Sequence, residues 1–228
     1  MEIVDGELIV TYTDGTTQNL GSIGSGDSGG TSDDSNSYPM LIFTLKDDNT
    51  YSVKINPDYK SSTEEIIIPS SYESTDVTEI DEKGFENCIY LKRVSIPETV
   101  TTIGANAFYN CIELAVINIP ENVTIIPQYA FWGCEKLTTV EIPAKVTQIS
   151  KYAFFGSGLT SITIPSNVKL IEALAFKTAS LKMAYFSVTT GWKAGISSID
   201  SSDLTMPTVA ANLLQRNDNG SGYTWTRN

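Results

Sequence analysis

VTTIGANAFYNCIELAVINIPEN, residues 100–122, recurs in altered form on both sides of itself. Counted from each valine, the other copies are VTEIDEKGFENCIYLKRVSIPET at 77–99, VTIIPQYAFWGCEKLTTVEIPAK at 123–145 and VTQISKYAFFGSGLTSITIPSN at 146–167, with a degrading fifth from Val168 to about Ser187. The first four lengths are 23, 23, 23 and 22 residues. A fixed period in the twenties is the signature of a solenoid, in which each turn stacks only on its neighbours.

Each unit reads V-T-x-I-x-x-x-A-F-x-x-C-x-x-L-x-x-V-x-I-P. The alternation of Ile117 and Ile119 is the period of a short strand with one buried face. Pro120 ends that strand because it has no N–H for the ladder, and Pro69, Pro97, Pro143 and Pro165 recur at the same place. The β-branched run at 100–103 predicts a second strand on the opposite wall. Residues 107–111 between them are expected to form one tight helical turn. Stacked turns bring like positions to about 4.8 Å, the spacing of paired strands. Ladders of like side chains are therefore expected in the core. One is Phe85, Phe108, Phe131, Phe154 and Phe176; another is Cys88, Cys111 and Cys134, continued by the small residues Ser157 and Ala179.

Units of the form A-F-x-x-C-x-x-L-x-x-V-x-I-P-x-x-V-T-x-I resemble the BspA-like leucine-rich repeats of bacterial cell-surface proteins, over residues 66–186. The resemblance implies a right-handed, curved, β-rich solenoid of parallel strands with short helical turns. It also implies a surface or secreted, adhesin-like role that contacts a protein or glycan of a host or neighbouring cell. Residues 1–5, MEIVD, carry neither the basic nor the apolar region of an export signal, so for a surface protein such a signal is expected to have been removed ahead of them.

The formal charge of −12 is unevenly spread. Residues 1–76 hold 14 acidic and 3 basic side chains, net −11, whereas residues 77–228 hold 13 and 12, net −1. Nucleic acid is a poor partner for such a chain, because binding it needs clustered positive charge. No apolar run approaches the length of a membrane span. Histidine is absent, which removes the commonest general base and metal ligand.

Outside the repeats, residues 7–20 read as a hairpin around Asp14-Gly15, a dipeptide suited to a type I′ turn. This N-terminal hairpin is an expected appendage of residues 1–20, followed by a linker at 21–37 in which 11 of 17 residues are Gly or Ser. Asp27, Asp33 and Asp34 invite a calcium reading, but their spacing fits no EF-hand loop, and a solvated linker suits the composition better. Residues 38–76, with a second hairpin around Asp47-Asp48-Asn49 and a half-repeat at 66–69, are expected to cap the five repeats at 77–186. Residues 187–228 are expected to form the C-terminal cap. It should hold a helix over 204–216 with Val209, Ala210, Leu213 and Leu214 as its apolar stripe, and a last strand at 223–227. Trp192 and Trp225 read as its bulky fillers, or alternatively as a platform for stacking carbohydrate.

Catalysis is not expected. Cysteines spaced by 23 residues match no zinc signature, no phosphate loop or nucleophile elbow occurs, and no cofactor is implied. The candidate site is the outward side of the L-x-x-V-x-I strands. Since Val94 and Ile96 point inward, Arg93 and Ser95 point out. Down the stack the two outward columns are Arg93, Val116, Thr139, Ser161 and Met183, and Ser95, Asn118, Glu141, Thr163 and Tyr185. Two functions are open at this point: a non-catalytic binding module that uses this face, or a structural spacer in a larger surface protein whose binding site lies elsewhere.

Overall fold

The computed structural model describes residues 2–4, 7–11, 17–22, 38–178, 180–194, 197–199, 201–215 and 224–227, with side chains from 38 onward except at 197–198. Two compact units divide the chain, Met1–Asp34 and Ser35–Asn228.

In the first unit Glu7–Thr11 pairs antiparallel with Thr17–Ser22, as the hairpin reading expects. A third strand, Glu2–Val4, pairs with the outer side of Glu7–Thr11 and leaves Asp5-Gly6 between them. The appendage is therefore a three-stranded sheet rather than a hairpin. Asp14-Gly15 and the aspartates of the expected linker, Asp27, Asp33 and Asp34, lie outside the described residues.

The second unit is the solenoid. One wall is built from V-T-x-I strands: Thr75–Ile80 pairs in parallel with Thr102–Ile103, and Ile125–Ile126, Gln148–Ile149 and Leu170–Ile171 pair in parallel with one another. The other wall is built from L-x-x-V-x-I strands. Glu65–Ile67, Arg93–Ser95 and Val116–Ile117 form one parallel sheet, and Ser161–Ile164 and Met183–Phe186 form another. Leu91, Leu114, Leu137, Leu159 and Leu181 are buried between the walls with the strand valines and isoleucines.

The phenylalanine ladder stands where the repeat places it. Successive rings from Phe85 to Phe176 stack at 5.3, 5.6, 5.2 and 5.4 Å, within 9° of parallel. Cys88, Cys111 and Cys134 are buried free thiols. The Cys111 Sγ donates to the Phe85 carbonyl and the Cys134 Sγ to the Phe108 carbonyl. Burial pushes the Cys134 thiol far above its ordinary value, because a thiolate there would have no water. Ser157 is buried in continuation of the column; Ala179 lies outside the described residues.

The segments between the walls differ in detail from the expected helical turn. Asn106 and Asn110 take φ of 58° and 56°, the left-handed region that asparagine tolerates, and this interrupts any helical run. The intervening N–H groups bond forward to the next turn instead: Asn106 to Gln128, Phe108 to Ala130 and Asn110 to Trp132. The same three bonds repeat from turn to turn along this edge between the walls.

The first wall is interrupted between turns 100–122 and 123–145, and the second wall loses its strand in turn 123–145. On the first wall the cause is Pro127. Its counterparts Gly104, Ser150 and Glu172 each donate an N–H to the preceding turn, and proline has none to give. On the second wall residues 138–141 form no strand, and Val140 is only half-buried where Val94 and Ile117 are buried. The five continuous strands expected on this wall are therefore two sheets with a gap. Across this seam the described backbone bonds are the three edge bonds and Lys136 N–H to Ile112 O.

The following turn is one residue shorter because Gly158 stands where the previous turn has Glu135 and Lys136. A Cβ at Gly158 would lie 2.1 Å from the Glu135 carbonyl oxygen, so only glycine permits the shortcut.

At the N-terminal end, Leu41–Leu45 pairs antiparallel with Tyr51–Ile55, which runs parallel to Thr75–Ile80 and closes the first wall. At the other end Trp225–Arg227 adds antiparallel to Leu170–Ile171, and Trp192–Ala194 adds outside it. The expected helix at 204–216 is instead two helices, Ser201–Thr205 and Pro207–Leu214, with Pro207 in the first turn of the second. Ala210, Ala211 and Leu214 are its buried residues, while Val209 and Leu213 are half-buried. Trp192 and Trp225 are 2% and 3% exposed and pack on Phe186. Buried rings offer no face to a sugar, which removes the carbohydrate platform and leaves the filler role.

Candidate functional site

The second wall presents the outward columns at its surface. Asn118, Thr139, Glu141, Thr163, Met183 and Tyr185 are exposed, and Arg93, Ser95, Val116 and Ser161 are half-buried. Pairing brings Arg93 opposite Val116, Ser161 opposite Met183 and Thr163 opposite Tyr185. The seam separates these into an N-terminal and a C-terminal block, with Thr139 and Glu141 on the irregular segment between.

In the N-terminal block the polar side chains are engaged within the fold. The Asn118 amide accepts from Ile96 N–H at 2.8 Å and donates to Ile96 O at 2.6 Å. This side chain prolongs a strand that ends one residue earlier, at Ile117. Arg93 faces Glu65 at 3.5 Å and Lys92 faces Glu64 at 2.8 Å. Such surface pairs contribute about 0–1 kcal/mol each, so they set local charge more than stability. Glu65 and Ile67 continue the two columns by one strand, in register with Arg93 and Ser95. The half-repeat at 66–69 was the signal for them. A shallow groove of about 290 Å³ crosses this block, lined by Lys92, Arg93, Glu113, Ala115, Val116 and Lys136.

The C-terminal block is different. Met183 and Tyr185 are 39% and 44% exposed and adjacent, the Tyr185 hydroxyl reaching the Met183 sulfur at 3.3 Å. Ser161 and Thr163 lie beside them. Behind the strand, Gln215 Nε2 donates to the Leu181 carbonyl and so ties the cap helix to it.

A second surface feature escaped the strand-centred reading. Tyr109, Trp132 and Phe155 stack on the edge between the walls at 4.6 and 6.1 Å, and Tyr129 stacks on Tyr152 at 5.0 Å beside them. Lys151 Nζ lies 4.9 Å from the Tyr152 ring centre. These residues recur at the same 23-residue spacing as the core phenylalanines, which is the signal that reveals them. Ring stacks along the repeat axis use ring faces for one another, which stiffens the edge.

Among the described residues no group of His, Cys, Asp or Glu side chains could hold a metal ion, and no helix is long and apolar enough to cross a membrane.

The profile of the BspA type leucine rich repeat region matches residues 58–182 in six copies. Two solved structures are similar. A leucine-rich repeat protein from Bacteroides ovatus is 30% identical with a TM-score of 0.57, the match covering 65% of this chain and 40% of that one. The T. pallidum leucine rich repeat protein is 28% identical with a TM-score of 0.60, covering 64% of this chain and 69% of the other. The chain thus spans less than half the length of the B. ovatus protein. No curated protein matches it.

Proposed function

This chain belongs to the BspA-type leucine-rich repeat family, and on that premise we propose that it is a non-catalytic binding module of a bacterial cell-surface or secreted protein. Its partner is a protein or glycan of a host or neighbouring cell, held in an adhesin-like manner on the outward face of the second wall. The observation that carries this reading is the exposed Met183–Tyr185 pair on a four-residue strand. Two large apolar side chains held out by rigid backbone lose little entropy on binding, and tyrosine is a frequent interface anchor.

A spacer role is the alternative, and the N-terminal block favours it. There Asn118, Arg93 and Lys92 make bonds within the fold, as a face without a partner would. Glycan arrays and extracellular-matrix proteins, probed with the purified chain, separate the two. Binding that Tyr185→Ala and Met183→Ala each weaken about tenfold or more, at unchanged melting temperature, supports the module. Equal binding by a variant with Val116, Glu141, Thr163 and Tyr185 all replaced moves the site elsewhere. Absence of any ligand across the screen favours the spacer.

A further inference from the structure

We propose that the strand Leu41–Leu45 is a docking edge for a second copy of this chain, the two copies pairing antiparallel across a two-fold axis at Phe43. The strand ends its sheet, and no described strand pairs with its outer side. Lys46 N–H bonds to Thr50 O and Asn56 N–H to Met40 O, which fixes the phase of the hairpin. Hydrogen-bonded pairs alternate in an antiparallel ladder, so 42, 44 and 46 face Tyr51–Ile55 while the N–H and C=O groups of Phe43 and Leu45 point away from it. Among the described residues nothing bonds to them.

Three other margins of the solenoid carry a protecting device. Trp225–Arg227 covers the C-terminal side of the first wall, and the helix Pro207–Leu214 is tied behind Met183–Phe186 through Gln215. The first strand of the second wall, Glu65–Ile67, is three residues long and carries a charge. Leu41–Leu45 has none of these devices. It reads Leu-Ile-Phe-Thr-Leu, with no proline, charge or bulge, and Leu45 is 56% exposed. Edges of this kind are templates for another strand.

Sequence and charge select a second copy in the antiparallel sense. About Phe43 the segment is self-complementary: Leu41 falls opposite Leu45, Ile42 opposite Thr44 and Phe43 opposite itself. In such a register Phe43 N–H and C=O pair with those of Phe43 in the other copy and Leu45 N–H meets the Leu41 carbonyl, while Leu41 N–H stays bonded to Tyr38 O within its own chain. In this arrangement the acidic tips at Asp47 and Asp48 of the two copies lie about 25 Å apart, beyond a screening length of about 8–10 Å. Parallel pairing would set the four carboxylates side by side in a chain of net charge −12. A two-fold contact also closes on itself, so the edge is consumed and no fibre grows.

Sedimentation velocity of the full chain over a concentration series, with amide exchange at Phe43 and Leu45, tests this. The expected result is a monomer–dimer equilibrium in which these two amides gain protection as dimer forms. Leu45→Lys adds a charge at an already exposed position and should raise the dissociation constant about tenfold or more while leaving the melting curve of the monomer unchanged. Phe43→Pro removes one outward N–H as a second variant. A chain that stays monomeric at high concentration overturns the proposal, as does a dimer that Leu45→Lys leaves intact or one that leaves both amides exchanging freely. Pairing of this edge only with an extended segment of some other protein overturns it equally.

Discussion

Replacing Phe131 by leucine is expected to split the unfolding of the solenoid into two steps, whereas the same change at Phe154 is not. Both rings are buried and each stacks on two others: Phe131 on Phe108 and Phe154 at 5.6 and 5.2 Å, Phe154 on Phe131 and Phe176 at 5.2 and 5.4 Å. Leucine keeps most of the buried apolar area and gives up the stacking, about 0.5–1.5 kcal/mol per ring pair, so each variant loses about 1–3 kcal/mol. What differs is the interface. The turns at 100–122 and 123–145 share four backbone bonds outside strands: Asn106–Gln128, Phe108–Ala130, Asn110–Trp132 and Lys136–Ile112. The next pair of turns shares seven, in addition to the ladder of Ile125–Ile126 with Gln148–Ile149. At about 0.5–1.5 kcal/mol per bond, the seam is weaker by about 2–4 kcal/mol. In a nearest-neighbour array cooperativity fails first at the weakest interface, and Phe131 stands on it. All three tryptophans, Trp132, Trp192 and Trp225, lie on the C-terminal side of the seam, so their fluorescence reports one block while far-ultraviolet circular dichroism reports the whole chain. In a urea titration the two signals should coincide for wild type and Phe154→Leu and separate for Phe131→Leu. Coincident curves for Phe131→Leu, shifted as far as those of Phe154→Leu, would refute the reasoning.

Gly158→Ala should destabilise the chain by about 1–3 kcal/mol or more, read from urea midpoints, since the added methyl meets backbone rather than a movable side chain. With ordinary thiol reagents the native chain should show no reactive group and the unfolded chain three. Because burial raises the Cys134 pKa, the folded state holds that proton more tightly; the stability this contributes is complete below the free thiol's ordinary value of 9.0 and is lost as pH rises past it. Cys134→Ala should flatten that alkaline decline in melting temperature. Limited proteolysis is expected to cut first within the Gly/Ser-rich 21–37 and to leave a stable core from about Tyr38; collapse of the core after cleavage would show that the N-terminal unit supports it.

The solenoid was legible because it is written several times: each column of the repeat samples one environment, so Phe85 to Phe176 and Cys88 to Cys134 report burial by their sameness. The seam was not legible from periodicity, since residues 123–145 match the pattern fully. It hides in a single residue type, Pro127, at a position where side chains vary but an N–H is needed. Asn118 misled for a related reason. Its place in the outward column is right, but an amide of that length reaches sideways to the Ile96 backbone, and spacing along the chain says nothing about sideways reach. The third strand at Glu2–Val4 escapes the reading because three residues are too short to show alternation, and the first cap helix escapes it because Ser201–Thr205 has almost no apolar period. The aromatic stack on the edge between the walls is readable in principle by the same columns, away from the strands.

The bonds along the edge between the walls all run one way, from the N–H of each turn to the carbonyl of the next, through Lys83, Asn106, Tyr129 and Tyr152 and their two companion columns. Aligned peptide dipoles sum, as they do in an α-helix, into partial charges at the two ends. Here the N–H groups aim at the C-terminal cap, so the positive end lies at Leu174 and Phe176, whose N–H groups bond to nothing among the described residues, and the negative end lies at 82–86. Because a macrodipole acts as charge at its ends, inserting further turns would separate those charges without enlarging them. A longer array of the same repeat would therefore meet the same electrostatic conditions at its caps as this one does.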